Sequence, residues 1–163
     1  MSDLLVKLYQ LPSDAEALSV LRKQGTIVRK PFGPERFVLV DWVRTRFSDH
    51  WAAETENALS VRPMTCLVAV AEKQIVGFAC YDTTFLGMFG PTGVAEEHRG
   101  KGIGKALLLA TMHDMWHKGY AYAVIGMVGP VAFYEKVLGA TLIDGSDPGP
   151  LETWVRDDEG DGT

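Results

Sequence analysis

Seven residues near the middle of the chain bring glycine and positive charge together at close spacing: Arg99-Gly100-Lys101-Gly102-Ile103-Gly104-Lys105. They follow an extended run and open an apolar helical pattern, so they read as a strand–turn–helix junction. The first turn of a helix has backbone N–H groups without intrahelical partners, at the positive end of the helix dipole. Glycines keep side chains out of the approach, so an anion can come close to that backbone. Arg99, Lys101 and Lys105 add three cations. This is a site for a phosphate or pyrophosphate. It is not a Walker loop, because Ala106 follows Gly104-Lys105 and Arg99 takes the place of the leading glycine. Nor is it the dinucleotide fingerprint Gly-x-Gly-x-x-Gly/Ala, which would end on Leu107 counted from Gly102 or on Lys105 counted from Gly100. What fits is Arg-x-x-Gly-x-Gly with Val94 five residues upstream.

Other polar residues offer weaker chemistry. His113 and His117 stand four apart on one helix, a metal-compatible spacing, but no third ligand accompanies them and no metal is expected. Asp49-His50-Trp51, Asp82, Glu96 and Glu97 are polar positions whose bland reading, a solvated loop or turn, stands beside any catalytic one.

The elements that must position the glycine turn follow from pattern. Leu4 to Leu11 reads as a strand closed by Pro12, and Ser13 with Glu16 forms a capping box for a helix ending near Lys23 before Gly25. Pro31-Phe32-Gly33-Pro34 is a turn; a second helix runs from Pro34 to about Phe47 and a short third to Leu59. After Pro63 the period changes. Thr65–Ala71 and Gln74–Tyr81 form a hairpin about Glu72-Lys73, and Phe85–Val94 is a strand broken by Gly90, Pro91 and Gly93. Pro91 removes one ladder donor and its glycines loosen the backbone, so a bulge there would part this strand from its neighbour and open a cleft. Gly102 to about Lys118 is the clearest helix, stopped by Gly119. Tyr120–Val128 reads as a central strand, a short helix runs from Gly129-Pro130 to about Val137, and Ala140–Ile143 and Glu152–Arg156 read as closing strands.

Length and composition bound the rest. The 163 residues, 47% hydrophobic and 23% charged, make one α/β domain. We place it at residues 1–156. Asp157, Asp158, Glu159 and Asp161 supply most of the net charge of −5, so residues 157–163 form an acidic tail expected to stay disordered and the body is near neutral. A near-neutral body without a Lys/Arg stripe gives no footprint for nucleic acid. The apolar runs are too short to span a membrane. Cys66 and Cys80 lie in apolar strand-like stretches and read as buried free thiols, which with the lack of a signal-peptide pattern places the chain in the cytoplasm.

The Arg99–Gly104 pattern resembles the acyl-CoA motif of the GNAT superfamily of N-acetyltransferases. A second stretch, Phe133-Tyr134-Glu135-Lys136-Val137-Leu138-Gly139-Ala140, is similar to the GNAT helix whose Tyr lies beside the CoA sulfur. The resemblance covers roughly Thr65 to Leu142 and implies a mixed central sheet of six to seven strands, splayed between the family's fourth and fifth strands, with helices on both faces. In that family's count these two strands are 85–94 and 120–128 here. The resemblance also implies transfer of an acetyl group from acetyl-CoA to a primary amine by direct attack in a ternary complex. The acceptor is a small molecule or peptide, and a homodimer stays open. Carried over residue by residue, Thr92, Gly93 and Val94 face the pantetheine and thioester, Arg99, Gly100, Lys101, Gly102, Ile103, Gly104 and Lys105 hold the pyrophosphate, and Tyr134 is the acid for the departing sulfur. The base is open among Asp49, His50, Asp82, Glu96 and a water relay.

Three departures stand out. Met127-Val128-Gly129-Pro130 lacks the Asn often found there, Tyr134 stands five positions before Gly139 where four is commoner, and 85–94 has no carboxylate. A non-catalytic acyl-CoA-binding sensor on the same fold is the alternative.

Overall fold

In the computed structural model, which describes residues 1–126 and 129–156, the sheet is built around one tight hairpin. Strands β3 (Cys66–Ala71) and β4 (Gln74–Tyr81) pair antiparallel about Glu72 and Lys73, whose φ of 50° and 62° suit a two-residue turn matched to strand twist. The remaining strands are β1 (Leu4–Lys7), β2 (Thr26–Arg29), β5 (Met88–Val94), β6 (Tyr122–Ile125) and β7 (Thr141–Leu142). The helices are α1 (Ala15–Lys23), α2 (Arg36–Arg46), α3 (Asp49–Leu59), α4 (Ile103–Lys118) and α5 (Val131–Leu138). Seven strands form one mixed sheet in the order β2-β3-β4-β5-β6-β1-β7. The pair β5–β6 is parallel and the other described pairs are antiparallel.

Helices cover both faces, as expected. On one face α4 is buried over most of its length, from Ile103 through Met112 to Met115, against Leu67, Val76, Phe89, Ala123 and Ile125, with Leu21 of α1 and Leu138 of α5 in the same cluster. On the other face α2 and α3 pack Leu39, Val40, Val43, Ala52, Ala58 and Leu59 onto Cys66, Val68, Phe78 and Cys80. Cys66 and Cys80 face each other in register as free, fully buried thiols, and burial pushes the Cys80 thiol well up. No described helix is long and apolar enough to cross a membrane.

Several expectations need correction. The first strand stops at Lys7, and Leu8–Gln10 form a 3₁₀ turn whose Leu8 stays buried. Its place is also unexpected, since β1 lies antiparallel between β6 and β7. The Ser13/Glu16 capping box does not form. The Ser13 hydroxyl accepts from the Ala15 N–H at 3.2 Å, while the helix starts after Asp14 without a side-chain cap. Strand β2, which the sequence reading passed over, pairs with β3 at the sheet edge. The apolar run 120–128 yields a strand only over Tyr122–Ile125, and Met127 and Val128 lie outside the described residues, as does the tail 157–163. Glu152–Arg156 is not a strand: 150–153 is a turn, in a stretch where Pro148 and Pro150 have no N–H to donate and Gly149 has φ +88°.

The strand expected from Phe85 begins only at Met88, because Asp82 holds the preceding loop. The Asp82 side chain is 4% exposed, and its oxygens accept from the Gly87 N–H (2.7 Å), the Lys118 ammonium (2.6 Å) and the Tyr120 hydroxyl (2.9 Å). Burial and this carboxylate push the Tyr120 phenol up to about 12. Next to it the Tyr81 hydroxyl donates to Asp114 at 2.7 Å, and Lys30 pairs with the same oxygen at 2.8 Å. Asp82 thus ties the end of β4, the start of β5 and the end of α4 together. Asp82→Ala would take the acceptor from the half-buried Gly87 N–H and Tyr120 hydroxyl and lower unfolding stability by about 1–2 kcal/mol, read as a reduced urea midpoint with an unchanged slope. An unchanged midpoint would mean that the loop is held by other contacts.

Candidate active site

Strand β5 carries the defect that opens the site. Ala79 and Tyr81 of β4 face Thr92 and Phe89, so Gly90 and Pro91 together stand opposite Cys80 as a bulge. Gly90 takes φ +123°, a conformation that favours glycine, and its carbonyl accepts from the Thr83 hydroxyl at 2.9 Å. On its other side β5 pairs with β6 at Met88↔Val124 and Phe89↔Ile125. Among the described residues the parallel ladder has no further pairs. Thr92, Gly93 and Val94 remain bound to β4, and their other edge has no strand partner among the described residues.

Beside this stretch of β5 lies a cleft of about 430 Å³. Its walls come from Thr92, Gly93 and Val94, from the glycine turn at Arg99, Gly100, Gly102, Ile103 and Gly104, and from Tyr134. Nine of the eleven residues singled out from sequence therefore meet in one place. Lys101 and Lys105 do not line the cleft; both are exposed beside it. Gly100 and Gly102 have φ of +78° and +84°, and nothing lies within 4 Å of where their Cβ atoms would be. Backbone conformation, not crowding, selects glycine there. Gly102 caps α4 without a side chain to offer, which leaves the first-turn N–H groups for a ligand or water. The Arg99 guanidinium donates weakly to the Val94 carbonyl at 3.4 Å, holding the turn against the end of β5.

Tyr134 sits on α5, 9% exposed, with the Phe133 ring edge-on at 5.3 Å. Its hydroxyl has no protein hydrogen-bond partner among the described residues, and burial raises its pKa above the ordinary phenol value. None of the four side chains weighed as a base lines the cleft. Asp82 is committed to its three donors. Asp49 is 85% exposed and pairs with Arg44 at 3.2 Å. The His50 ring lies edge-on against Trp154 at 4.9 Å, and Glu96 is an exposed residue of the 3₁₀ turn 96–98. His113, of the metal-compatible pair, binds the Pro12 carbonyl through Nε2 at 2.8 Å.

Sequence reasoning missed part of the wall: Phe47, Phe89, His98, Leu108 and Phe133, and it read Trp51 only as a loop anchor. The available signal for Phe47 and Trp51 was Ser48 between them. The Ser48 hydroxyl caps α3 by accepting from the Trp51 N–H at 3.1 Å, and this turn stacks the two rings at 5.2 Å. The Phe47 ring lies on Gly93, where an added Cβ would come within 2.4 Å of it. Glu54 was also missed. It is a half-buried carboxylate that accepts from the Thr84 hydroxyl; burial raises its pKa, and it lies outside the cleft wall.

A parted parallel strand pair, with a glycine turn at the start of a helix beside it, is the arrangement implied by the resemblance. Residues 34–140 match the model of the acetyltransferase (GNAT) family, so the chain belongs to that family. The match reaches back through α2 and α3, beyond the stretch the motifs covered. Among solved structures, the chain resembles a GCN5-related glucosamine N-acetyltransferase region of a fungal multi-domain GH3 β-N-acetylglucosaminidase (15% identity, TM-score 0.71, 87% of this chain and 19% of that one). It also resembles a GCN5-related N-acetyltransferase from Sphaerobacter thermophilus (21%, 0.67, 87% and 48%). A third is a GNAT acetyltransferase from Brucella melitensis solved with acetyl-CoA (16%, 0.55, 72% and 86%). At these identities the likeness is one of fold. The chain spans under half the length of the first two. No curated protein sequence matches.

Gly104 gives a clean test of the anion site. Its Cβ would meet only Val94, at an ordinary 3.7 Å, and Glu in a first helical turn suits both helix propensity and dipole. Gly104→Glu should therefore leave the melting temperature of the free protein unchanged or higher. It should weaken acetyl-CoA binding at least about tenfold, since it brings negative charge to the phosphate approach. Calorimetric titration checks this, and undiminished affinity in the folded variant would place the anion site elsewhere.

Proposed function

We propose that the protein is an acetyl-CoA-dependent N-acetyltransferase that moves the acetyl group to a primary amine by direct attack in a ternary complex. One observation carries this reading: the cleft beside the Thr92–Val94 stretch of β5 has both the glycine turn and Tyr134 in its wall. The first-turn N–H groups of α4 receive the pyrophosphate, with Arg99 beside them and Lys101 and Lys105 as outer charges. The free edge of Thr92–Val94 pairs with the pantetheine amides and offers an N–H to the thioester oxygen. That donor favours the oxyanion formed when the amine adds to the carbonyl carbon.

As the C–S bond breaks, the sulfur takes the electron pair and Tyr134 supplies the proton. A free thiol has a pKa of about 8.5 and a phenol about 10, so full transfer is uphill. Burial raises the phenol further. Tyr134 therefore helps by donating while the charge on sulfur is still developing. None of Asp49, His50, Asp82 and Glu96 lines the cleft, which supports water in the cleft as the group that takes the amine's proton. A sensor on the same fold is the other reading. A cleft open at Tyr134 favours catalysis over it.

Thiol release from acetyl-CoA against a panel of amines tests the activity. Release with an amine supports the transferase; tight acetyl-CoA binding with no release for any amine supports the sensor. Tyr134→Phe should keep acetyl-CoA affinity and lower kcat and kcat/KM together by about tenfold to a hundredfold. Because burial raises the pKa of the acid, the wild-type rate should not fall as pH rises from 7 to about 9. A rise in KM for acetyl-CoA with kcat unchanged would make Tyr134 an orienting group only.

A further inference from the structure

The cleft has two kinds of wall, and the second kind specifies the acceptor; this rests on the transferase reading above. The glycine turn, Leu108 and Tyr134 come from α4 and α5 and their approach, on one face of the sheet. Phe47 and Trp51 come from the α2–α3 junction on the other face. With CoA on the first side, an amine reaches the thioester from the second. There the Phe47 ring is fixed between Gly93 and Trp51, with Trp42 edge-on to it at 5.7 Å and Phe78 tilted against it at 5.7 Å.

Charge points the same way. No Asp or Glu is among the described residues lining the cleft; besides Tyr134, its charged and titratable members are Arg99 and His98, in and next to the glycine turn. The acids near the junction are engaged elsewhere: Asp49 with Arg44, Glu97 with Arg46 at 3.0 Å, and Glu54 with Thr84. A polyamine or aminoglycoside would bury additional ammonium groups against rings without counter-charges, which is costly. A sugar amine would bring several hydroxyls, while the Thr92 hydroxyl already donates to the Phe78 carbonyl at 3.1 Å. We propose that the acceptor is a primary monoamine carried on an apolar, ring-sized body that packs on Phe47 and Trp51.

The test measures thiol release from acetyl-CoA with 2-phenylethylamine, spermidine and glucosamine. The expected result is a kcat/KM for 2-phenylethylamine at least about tenfold above the other two. Trp51→Ala should raise KM for 2-phenylethylamine about tenfold or more with unchanged acetyl-CoA affinity. Trp51→Phe, which keeps a ring in the fold, should restore most of it. A preference for spermidine or glucosamine would overturn the proposal and leave the transferase reading standing. A preference for octanoyl-CoA over acetyl-CoA, with indifference to the amine's body, would overturn it by assigning the rings to the acyl chain. No release with any amine would overturn both readings.

Discussion

The site depends on one constraint: among the described residues β5 and β6 run parallel and pair at only two positions, Met88↔Val124 and Phe89↔Ile125. Parallel ladders are normally buried and continuous, and an open edge leaves backbone groups that must be satisfied by something else. The chain meets this by anchoring β5 firmly on its other side. Gly77, Phe78 and Ala79 of β4 stay paired with Val94, Gly93 and Thr92, while Gly90 and Pro91 absorb the misfit as a bulge. The parting is thus built into sequence through a residue without an N–H and a residue that tolerates positive φ.

The rest of the fold keeps that opening in place. Close approach of α4 to β4 is possible because residue 77 is glycine, where a Cβ would come within 2.9 Å of Leu107 and 3.2 Å of Ile103. This seats the start of α4 directly beside the end of β5, so the turn and the open edge share one cleft. At the opposite end, Asp82 ties the entrance of β5 to Lys118 and Tyr120. The helix is thereby fixed near both ends. On the other face, Gly93 admits the Phe47 ring, so a single strand borders the cleft with its edge and supports the aromatic wall with its missing side chain.

Much of this was legible in sequence because it is encoded locally. The glycine turn, the long apolar helix α4, the hairpin about Glu72-Lys73 and the break at Pro91 each depend on a few adjacent residues. What was illegible depends on contacts distant in sequence. Strand β2 is four residues long and half-exposed at the sheet edge, with Ile27 outward, so it has little pattern of its own. That β1 inserts between β6 and β7 is a choice of partner more than a hundred positions away. Asp82 reads from sequence as a loop carboxylate, one open candidate for the base, because Lys118 and Tyr120 reach it only through the fold. From sequence Phe47 reads as the end of a helix and Trp51 as the anchor of a loop. Their role in the cleft wall follows from Ser48 turning the chain between them.

The most direct measurement is a crystal structure of the protein grown with acetyl-CoA. The account predicts the pyrophosphate within hydrogen-bonding distance of the backbone N–H groups of residues 100–104. It predicts the pantetheine along Thr92–Val94 between β5 and β6, with the sulfur beside the Tyr134 hydroxyl. Acetyl-CoA bound away from the gap, or β5 and β6 zipped together past Phe89 with the ligand outside, would contradict it.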